Sequence, residues 1–115
     1  MADIWKEDYK IIVDVDASGS GAMSETLNYP KPFELVDVRL KVGVAPATAE
    51  NFTVTIDALA GSAFDTNILT VPMAGVTSEI ILDIGMKFKA GDKIVFAWAN
   101  SDGRTWGLTY RYRRI

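Results

Sequence analysis

The chain has 115 residues with no cysteine and no histidine, and its 12 basic against 15 acidic side chains give a formal charge of −3. This length suffices for one domain with its own core and excludes a second domain. The hydrophobic fraction of 49% is too high for a disordered chain. The missing histidine and cysteine exclude the commonest general base, thiol nucleophiles, zinc–thiolate sites and disulfides.

Targeting signals and membrane spans are not predicted. The N-terminal residues have neither the basic region nor the apolar region of a secretory signal. No apolar run reaches the roughly 18 residues of a transmembrane helix. We therefore expect synthesis in the cytoplasm of the producing cell and no membrane partner.

Alternation of apolar and polar residues, which is typical of strands, runs through most of the chain. It predicts a first strand at residues 9–16. Residues 17–32 are rich in Gly and Ser and end in a segment with two prolines, so we expect a long loop or an edge strand there. Residues 36–44 predict a strand with one buried and one solvated face, and residues 52–58 predict the next strand.

The C-terminal half continues the same pattern. Residues 93–99 are apolar on both faces, as expected of a strand covered on both sides, either inside a sandwich or under a partner subunit. Seven or eight short strands predict an all-β fold, an antiparallel β-sandwich. The other predicted elements of this half are strands at 68–71, 79–84 and 104–114, a polar turn at 87–92, and a hairpin loop at 100–103 with Gly103 as the left-handed residue.

One segment matches a calcium site by spacing. Asp14, Asp16, Ser18, Gly19 and Glu25 stand at positions 1, 3, 5, 6 and 12 of an EF-hand loop. An EF-hand needs a helix on each side, whereas the residues before the first aspartate predict a strand. We interpret the segment as a strand end followed by a flexible loop, and we expect no metal and no cofactor. A non-helical calcium loop is the alternative.

Patterns for catalysis are also weak. Asp57, Glu79, Asp83 and Asp92 could supply a carboxylate pair for glycoside hydrolysis, but their alternation with buried residues is what the wet face of a sandwich requires. The sequence contains no nucleophile elbow and no phosphate-binding glycine loop. We therefore expect that the protein is not an enzyme.

Charge is distributed unevenly along the chain. Residues 1–37 hold eight acids and three bases, whereas residues 104–115 hold four arginines and no acid. The acidic overall balance argues against a nucleic-acid partner. Arginine is enriched at the centres of protein interfaces, so Arg111, Arg113 and Arg114 are candidate partner-binding residues. A solvated strand face is the alternative interpretation.

An N-terminal arm is predicted at residues 1–8, before a single sandwich domain at residues 9–115. Ile4 and Trp5 are large apolar side chains within a charged segment, and an arm of this kind usually docks onto another surface. We expect that surface to belong to a neighbouring subunit. Most other aromatic residues occupy alternating strand positions, so we interpret them as core or interface.

Four segments carry a resemblance to a known class of proteins: AENFTVTID (49–57), AFDT (63–66), GDKIV (91–95) and ANSDGRTWGL (99–108). They resemble small, jelly-roll-like β-sandwich structural proteins of tailed bacteriophages, which decorate or cement the capsid or sit on the tail. The matching motifs are strand and turn patterns in the C-terminal part of the chain.

The resemblance implies a non-enzymatic virion structural protein that binds the major capsid protein or another virion protein and stabilises the particle. It also implies a homo-oligomer located in the virion. The alternative is a glycan-binding or receptor-binding β-sandwich module of a phage tail, which would need exposed, coplanar Trp or Tyr rings in one concave patch. A free-standing intracellular domain with a small ligand has no residue pattern in its favour.

Overall fold

The computed structural model describes residues 12–77 and 79–115, which form eight strands and one short 3-10 turn. The predicted arm, including Ile4 and Trp5, lies outside the described residues. The elements in chain order are β1 (Ile12–Gly19), β2 (Met23–Asn28), β3 (Phe33–Val42), β4 (Asn51–Asp57), the 3-10 turn (Ser62–Phe64), β5 (Thr66–Pro72), β6 (Glu79–Phe88), β7 (Lys93–Trp98) and β8 (Trp106–Arg114).

The strands form two antiparallel sheets of four. Sheet 1 has the order β1-β8-β3-β6, and sheet 2 has the order β2-β7-β4-β5. The chain therefore passes between the sheets at almost every connection, which is the arrangement of a jelly roll. The predicted all-β antiparallel sandwich is confirmed, with eight strands.

The core lies between the two sheets and is built from the inward positions of the central strands. Leu40 and Leu108 come from sheet 1, and Val54 and Phe96 come from sheet 2; each is at most 1% exposed. The ring of Phe96 stacks on Tyr110 of the opposite sheet, with centroids 4.5 Å apart. Burial raises the pKa of the Tyr110 hydroxyl, and the nearby carboxylate of Glu25 raises it further.

The segment at residues 17–32 differs most from expectation. It is mainly strand, because β1 continues to Gly19 and β2 then forms one edge of sheet 2. The edge-strand prediction was therefore right, and the long loop was wrong. The two inward apolar residues of β2, Met23 and Leu27, are separated by the charged Glu25, which hid the alternation.

Strand β6 is also longer than the pattern predicted. The alternation ends near residue 84 because Gly85 adopts a φ of 66°, at a point where the pairing of β3 with β6 shifts register. Pairing then resumes and continues to Phe88, so the polar turn begins at residue 89 rather than 87. In the 100–103 loop, Gly103 has a φ of 65°, which confirms the predicted left-handed residue. The hairpin predicted there is wrong, because this loop joins β7 of sheet 2 to β8 of sheet 1.

Strand β7 is covered on one face only within the chain. Its inward residues Ile94, Phe96 and Trp98 are buried, whereas Val95 and Ala97 lie half-exposed on the outer face of sheet 2. In the described part of the chain, no helix is long and apolar enough to cross a membrane.

Candidate interaction surfaces

The outer face of sheet 1 brings together charges that are far apart in sequence. Strand β8 lies between β1 and β3, so Arg111 stands opposite Asp14 on one side and Asp37 on the other. The Arg111 guanidinium donates to Asp37 through Nε, at 2.7 Å, and through Nη2. Arg113 donates to Glu34 at 2.9 Å. The acids of the N-terminal third therefore neutralise the arginines of the last strand.

The pair of Asp37 and Arg111 is the most buried of these interactions. Asp37 is only 3% exposed. Its hydrogen bonds with the guanidinium hold the pKa of the carboxyl below its ordinary value of 3.8, and the same pair raises the pKa of Arg111. Arg111 and Arg113 thus have partners within the chain, as does Arg114. Their role in binding another subunit stays a prediction.

The four candidate calcium ligands do not converge. Asp14, Asp16 and Ser18 occupy outward positions of β1, where Asp16 accepts a hydrogen bond of 2.7 Å from the Thr109 hydroxyl. Glu25 lies on β2 in the other sheet, opposite the inward-facing Phe96. Residues 12–77 and 79–115 contain no group of three acids placed to hold a metal ion. The predicted flexible loop after Asp16 is instead a strand.

A shallow groove of about 300 Å³ crosses the outer face of sheet 1 above Gly107, which contributes no side chain. Its charged lining consists of three acids and three bases: Asp14, Asp16, Glu79, Arg39, Lys41 and Arg111. Because the two signs balance, the groove offers no strong field for an anion or a cation.

The outer face of sheet 2 is chemically different. Two cross-strand rows of small or uncharged side chains cover it, and we call these eight residues the neutral face. The rows are Ser24, Ala97, Thr53 and Thr70, followed by Thr26, Val95, Thr55 and Asn67. The next outward position towards the end of β4 is charged: there Asp57 is the register partner of Lys93 on β7.

A second surface feature is the loop between β4 and β5, residues 58–65, which we call the β4–β5 tip. Leu59 is 74% exposed and Phe64 is 64% exposed. Two carboxylates hold the loop: Asp92 accepts a hydrogen bond of 3.1 Å from the Leu59 amide, and Asp65 accepts one of 2.8 Å from the Ala58 amide. Two large apolar side chains are therefore displayed on a braced loop.

The opposite end of the sandwich is closed by a hydrogen-bond network. Asp102 accepts from the amides of Ala47 and Thr48, at 2.9 and 2.8 Å, and from the Thr48 hydroxyl at 2.8 Å. These bonds lower the pKa of the Asp102 carboxyl. The amide of Asn100, which is 3% exposed, donates to the carbonyls of Gly21 and Arg104. This network joins three loops, so its role is structural.

The aromatic residues bear on the alternative of a glycan-binding module. Trp98, Trp106 and Tyr110 are at most 5% exposed. Tyr112 packs against Tyr29, with ring centroids 5.3 Å apart. Within the described ranges, the Trp and Tyr rings are thus buried or half-buried and do not form the exposed platform that sugar stacking requires.

Two of these surfaces were missed from the sequence. The sequence signal for the neutral face was the pair of apolar outward residues Val95 and Ala97. In the sequence alone, they indicated only a strand covered on both faces. The sequence signal for the β4–β5 tip was the presence of two large apolar residues, Leu59 and Phe64, on either side of Gly61 and outside the predicted strands. The network around Asp102 had no sequence signal, because it joins residues more than 50 positions apart.

Comparison with known proteins supports the fold. No family model and no curated protein matches the chain. A chain in the acid-stable capsid structure of Helicobacter pylori bacteriophage KHP30 is similar over 90% of this chain and 93% of its own length, with a TM-score of 0.54 and 15% identity. The chain thus has a β fold found in a viral capsid structure.

Two Drosophila structures are also similar. One is the NLP core, with a TM-score of 0.49 and 13% identity over 91% of this chain and 98% of that chain. The other is the nucleoplasmin-like N-terminal domain of FKBP39, with a TM-score of 0.49 and 17% identity over 90% and 91% of the two chains.

Proposed function

We propose that this chain is a virion structural protein without enzymatic activity, which binds coat subunits on the particle and stabilises it as a decoration or cement protein. The neutral face carries the proposal. It is a rigid, four-stranded surface without charge on a chain in which 23% of residues are charged.

The chemistry of the neutral face suits a protein interface. Charged residues other than arginine are depleted at interface centres, because each must lose its hydration when the partner binds. Val95, Ala97, Thr53 and Thr55 are already half-buried by their neighbours. Short, β-branched side chains on a sheet also lose little conformational entropy when a partner covers them. A partner therefore gains contact area at low cost.

The size of the neutral face limits what it can do alone. Four strands and two rows of residues span about 250 Å² at the usual spacings of a sheet. A stable interface buries about 800 Å² on each partner. The neutral face is therefore the centre of a larger contact.

The setting of the protein follows from the fold and the resemblance together. The likeness to a chain in a phage capsid structure supports a virion location, after synthesis in the host cytoplasm. The expected partners are the major capsid protein and further copies of this chain. No cofactor is part of the proposal.

The test is a charge placed on the neutral face. In the Ala97→Glu variant, the new carboxylate lies between the small residues Ser24 and Thr53 and can reach water, so the fold is retained. Purified chain is pelleted with shells assembled from the coat protein that the same genome encodes. We expect wild-type chain to pellet and the variant to bind about tenfold more weakly or worse, since an unpaired charge would be trapped in the contact.

The matched control is Ile81→Glu, which places the same charge on the outer face of sheet 1 at a residue that is 55% exposed. This variant should pellet like wild type. The proposal is wrong if wild-type chain stays in the supernatant, or if Ala97→Glu binds as well as the control.

A further inference from the structure

The β4–β5 tip is built to display apolar side chains rather than to bury them. Leu59 and Phe64 project into solvent, yet the backbone beneath them is fixed by Asp92 and Asp65. Gly91, at a φ of 89°, lies so close that a Cβ there would come within 2.6 Å of the Leu59 side chain. A binding surface that is ordered before its partner arrives loses less entropy on binding.

The start of β1 lies at the same end of the sandwich as the tip. Ile12 pairs with Arg113 at the end of β8, and Phe33 at the start of β3 pairs with Arg114. The 29–32 loop then links β2, and the pairing of Asp57 with Lys93 places the end of β4 at this end too. The start of β1, where the arm joins the sandwich, and the tip therefore share one end of the molecule.

The start of β1 and the tip lie at opposite sides of that end. The short β1–β2 connection places β1 over β2, and the stacking of Phe96 on Tyr110 places β7 over β8. Strand β5 therefore lies over β6, on the side of the sandwich farthest from β1. The direct distance from the start of β1 to the tip is about 17 Å, calculated from three strand spacings and one sheet separation. The seven steps from Trp5 to Ile12 reach at most about 25 Å when fully extended.

This geometry favours a tip that belongs to another copy. Within one chain, the arm would have to cross the whole end of the sandwich over the loops at 29–32 and 89–92, on a path longer than the direct distance of about 17 Å. A neighbour whose β5–β6 side lies beside β1 would bring its tip directly to the start of the arm. Ile12 and Val13, each 39% exposed, present apolar surface at this edge of β1.

Charge agrees with this arrangement. The arm holds Asp3, Glu7 and Asp8 against one lysine. Exposed Lys87 lies near the end of β6, and exposed Lys89 lies in the β6–β7 connection, beside the tip. Asp65 and Asp92 are engaged with backbone amides of the tip itself.

We propose that the β4–β5 tip of one copy binds Ile4 and Trp5 from the arm of a neighbouring copy. The contact joins two different surfaces, so its repetition links copies head to tail, into a ring where the rotation closes. The inference rests on the self-association named in the proposed function and assigns the two surfaces that meet, and its test requires no coat protein.

Disulfide trapping tests the proposal, because the natural chain has no cysteine. One chain carries Ile4→Cys, a second chain with a different tag carries Ser62→Cys in the tip, and the two are mixed under mild oxidation. We expect linked heterodimers. The control pair combines Ile4→Cys with Val44→Cys, a residue that is 60% exposed at the opposite end of the sandwich. It should give at least fivefold less product.

A chain with both Ile4→Cys and Ser62→Cys separates the sources of the arm. Binding between copies predicts links between chains, whose yield falls when the chain is diluted before oxidation. Docking within one chain predicts an internal disulfide, whose yield does not depend on chain concentration. Adding Leu59→Ser and Phe64→Ser to the tip should reduce trapping at least fivefold, while Val44→Ser should leave it unchanged. An internal disulfide as the main product, or trapping equal to the control, would overturn the proposal. Neither result would affect the pelleting test of the neutral face.

Discussion

At the scale of single residues, Asp37 shows how a charge is accommodated near the core. Its carboxylate is almost inaccessible, and it stands next to the register shift between Leu35 and Asp37 on β3. Both oxygens accept hydrogen bonds from Arg111. The cost of removing a carboxylate from water is offset only while this pairing is complete. The pair therefore holds β3 and β8 in one register.

Removal of Asp37 should accordingly be costly. In Asp37→Ala, Arg111 loses both hydrogen bonds and is left near Asp14, which lies 3.9 Å away and is 64% exposed, and near the charge of Asp83. We expect the free energy of unfolding to fall by about 2 kcal/mol. Asp14→Ala removes the other carboxylate near the same guanidinium and should cost about 0.5 kcal/mol or less. Urea unfolding followed by tryptophan fluorescence measures both. Equal losses in the two variants would contradict the prediction.

At the scale of elements, alternation predicted the strands whose two faces differ clearly. Strands β4 and β8 have apolar inward residues at every second position, so their existence and their buried faces followed from the sequence. In β3 the inward positions change across the register shift, from Phe33 and Leu35 to Val38, Leu40 and Val42. The strand predicted at 36–44 therefore missed the first three residues of β3 and ran two residues too far. The pattern failed where one residue broke it. Glu25 hid β2, and Gly85 hid the end of β6.

The surfaces were less predictable than the strands, for a physical reason. The pairing of Arg111 with Asp37 depends on register between strands that lie 74 positions apart. No local pattern contains that register. The neutral face likewise exists only because β2, β7, β4 and β5 become neighbours, although each contributes only two of its residues.

Asp102 acts at this scale, because its carboxylate connects the β3–β4 and β7–β8 loops. Its pKa is lowered in the folded chain, so the stabilisation is complete above the ordinary value of 3.8 and is lost as the pH falls through the folded pKa. In Asp102→Asn, the amide nitrogen can no longer accept a hydrogen bond. We expect the variant to be less stable than wild type at neutral pH, and the difference to shrink as the pH falls below 3.8 and the wild-type carboxylate becomes protonated.

Denaturant unfolding at a series of pH values measures this difference. The control is Asp57→Asn, which changes an exposed carboxylate at the other end of the sandwich. Its stability relative to wild type should change little over the same range. A deficit for Asp102→Asn that stays constant from neutral to acid pH would contradict the role of the ionised carboxylate.

At the scale of the whole molecule, the two outer faces of the sandwich have opposite characters. Sheet 1 carries interleaved acids and bases that satisfy one another, whereas sheet 2 carries the neutral face. A partner that binds sheet 1 would have to compete with the internal ion pairs of Arg111 and Arg113. A partner that binds sheet 2 displaces only water from small side chains. This asymmetry makes sheet 2 the side expected to face the particle.

Salt distinguishes the two sides in one experiment. Contact through the neutral face depends on apolar burial and shape, which salt does not screen, whereas contact through the charges of sheet 1 is weakened as the screening length shortens. Raising NaCl from roughly 0.1 to 1 M should therefore change the affinity of the chain for coat shells by less than about threefold. A loss of more than about tenfold would instead assign the docking surface to sheet 1. Lys41→Glu, which inverts one charge in the groove of that sheet, should leave binding unchanged at both salt concentrations.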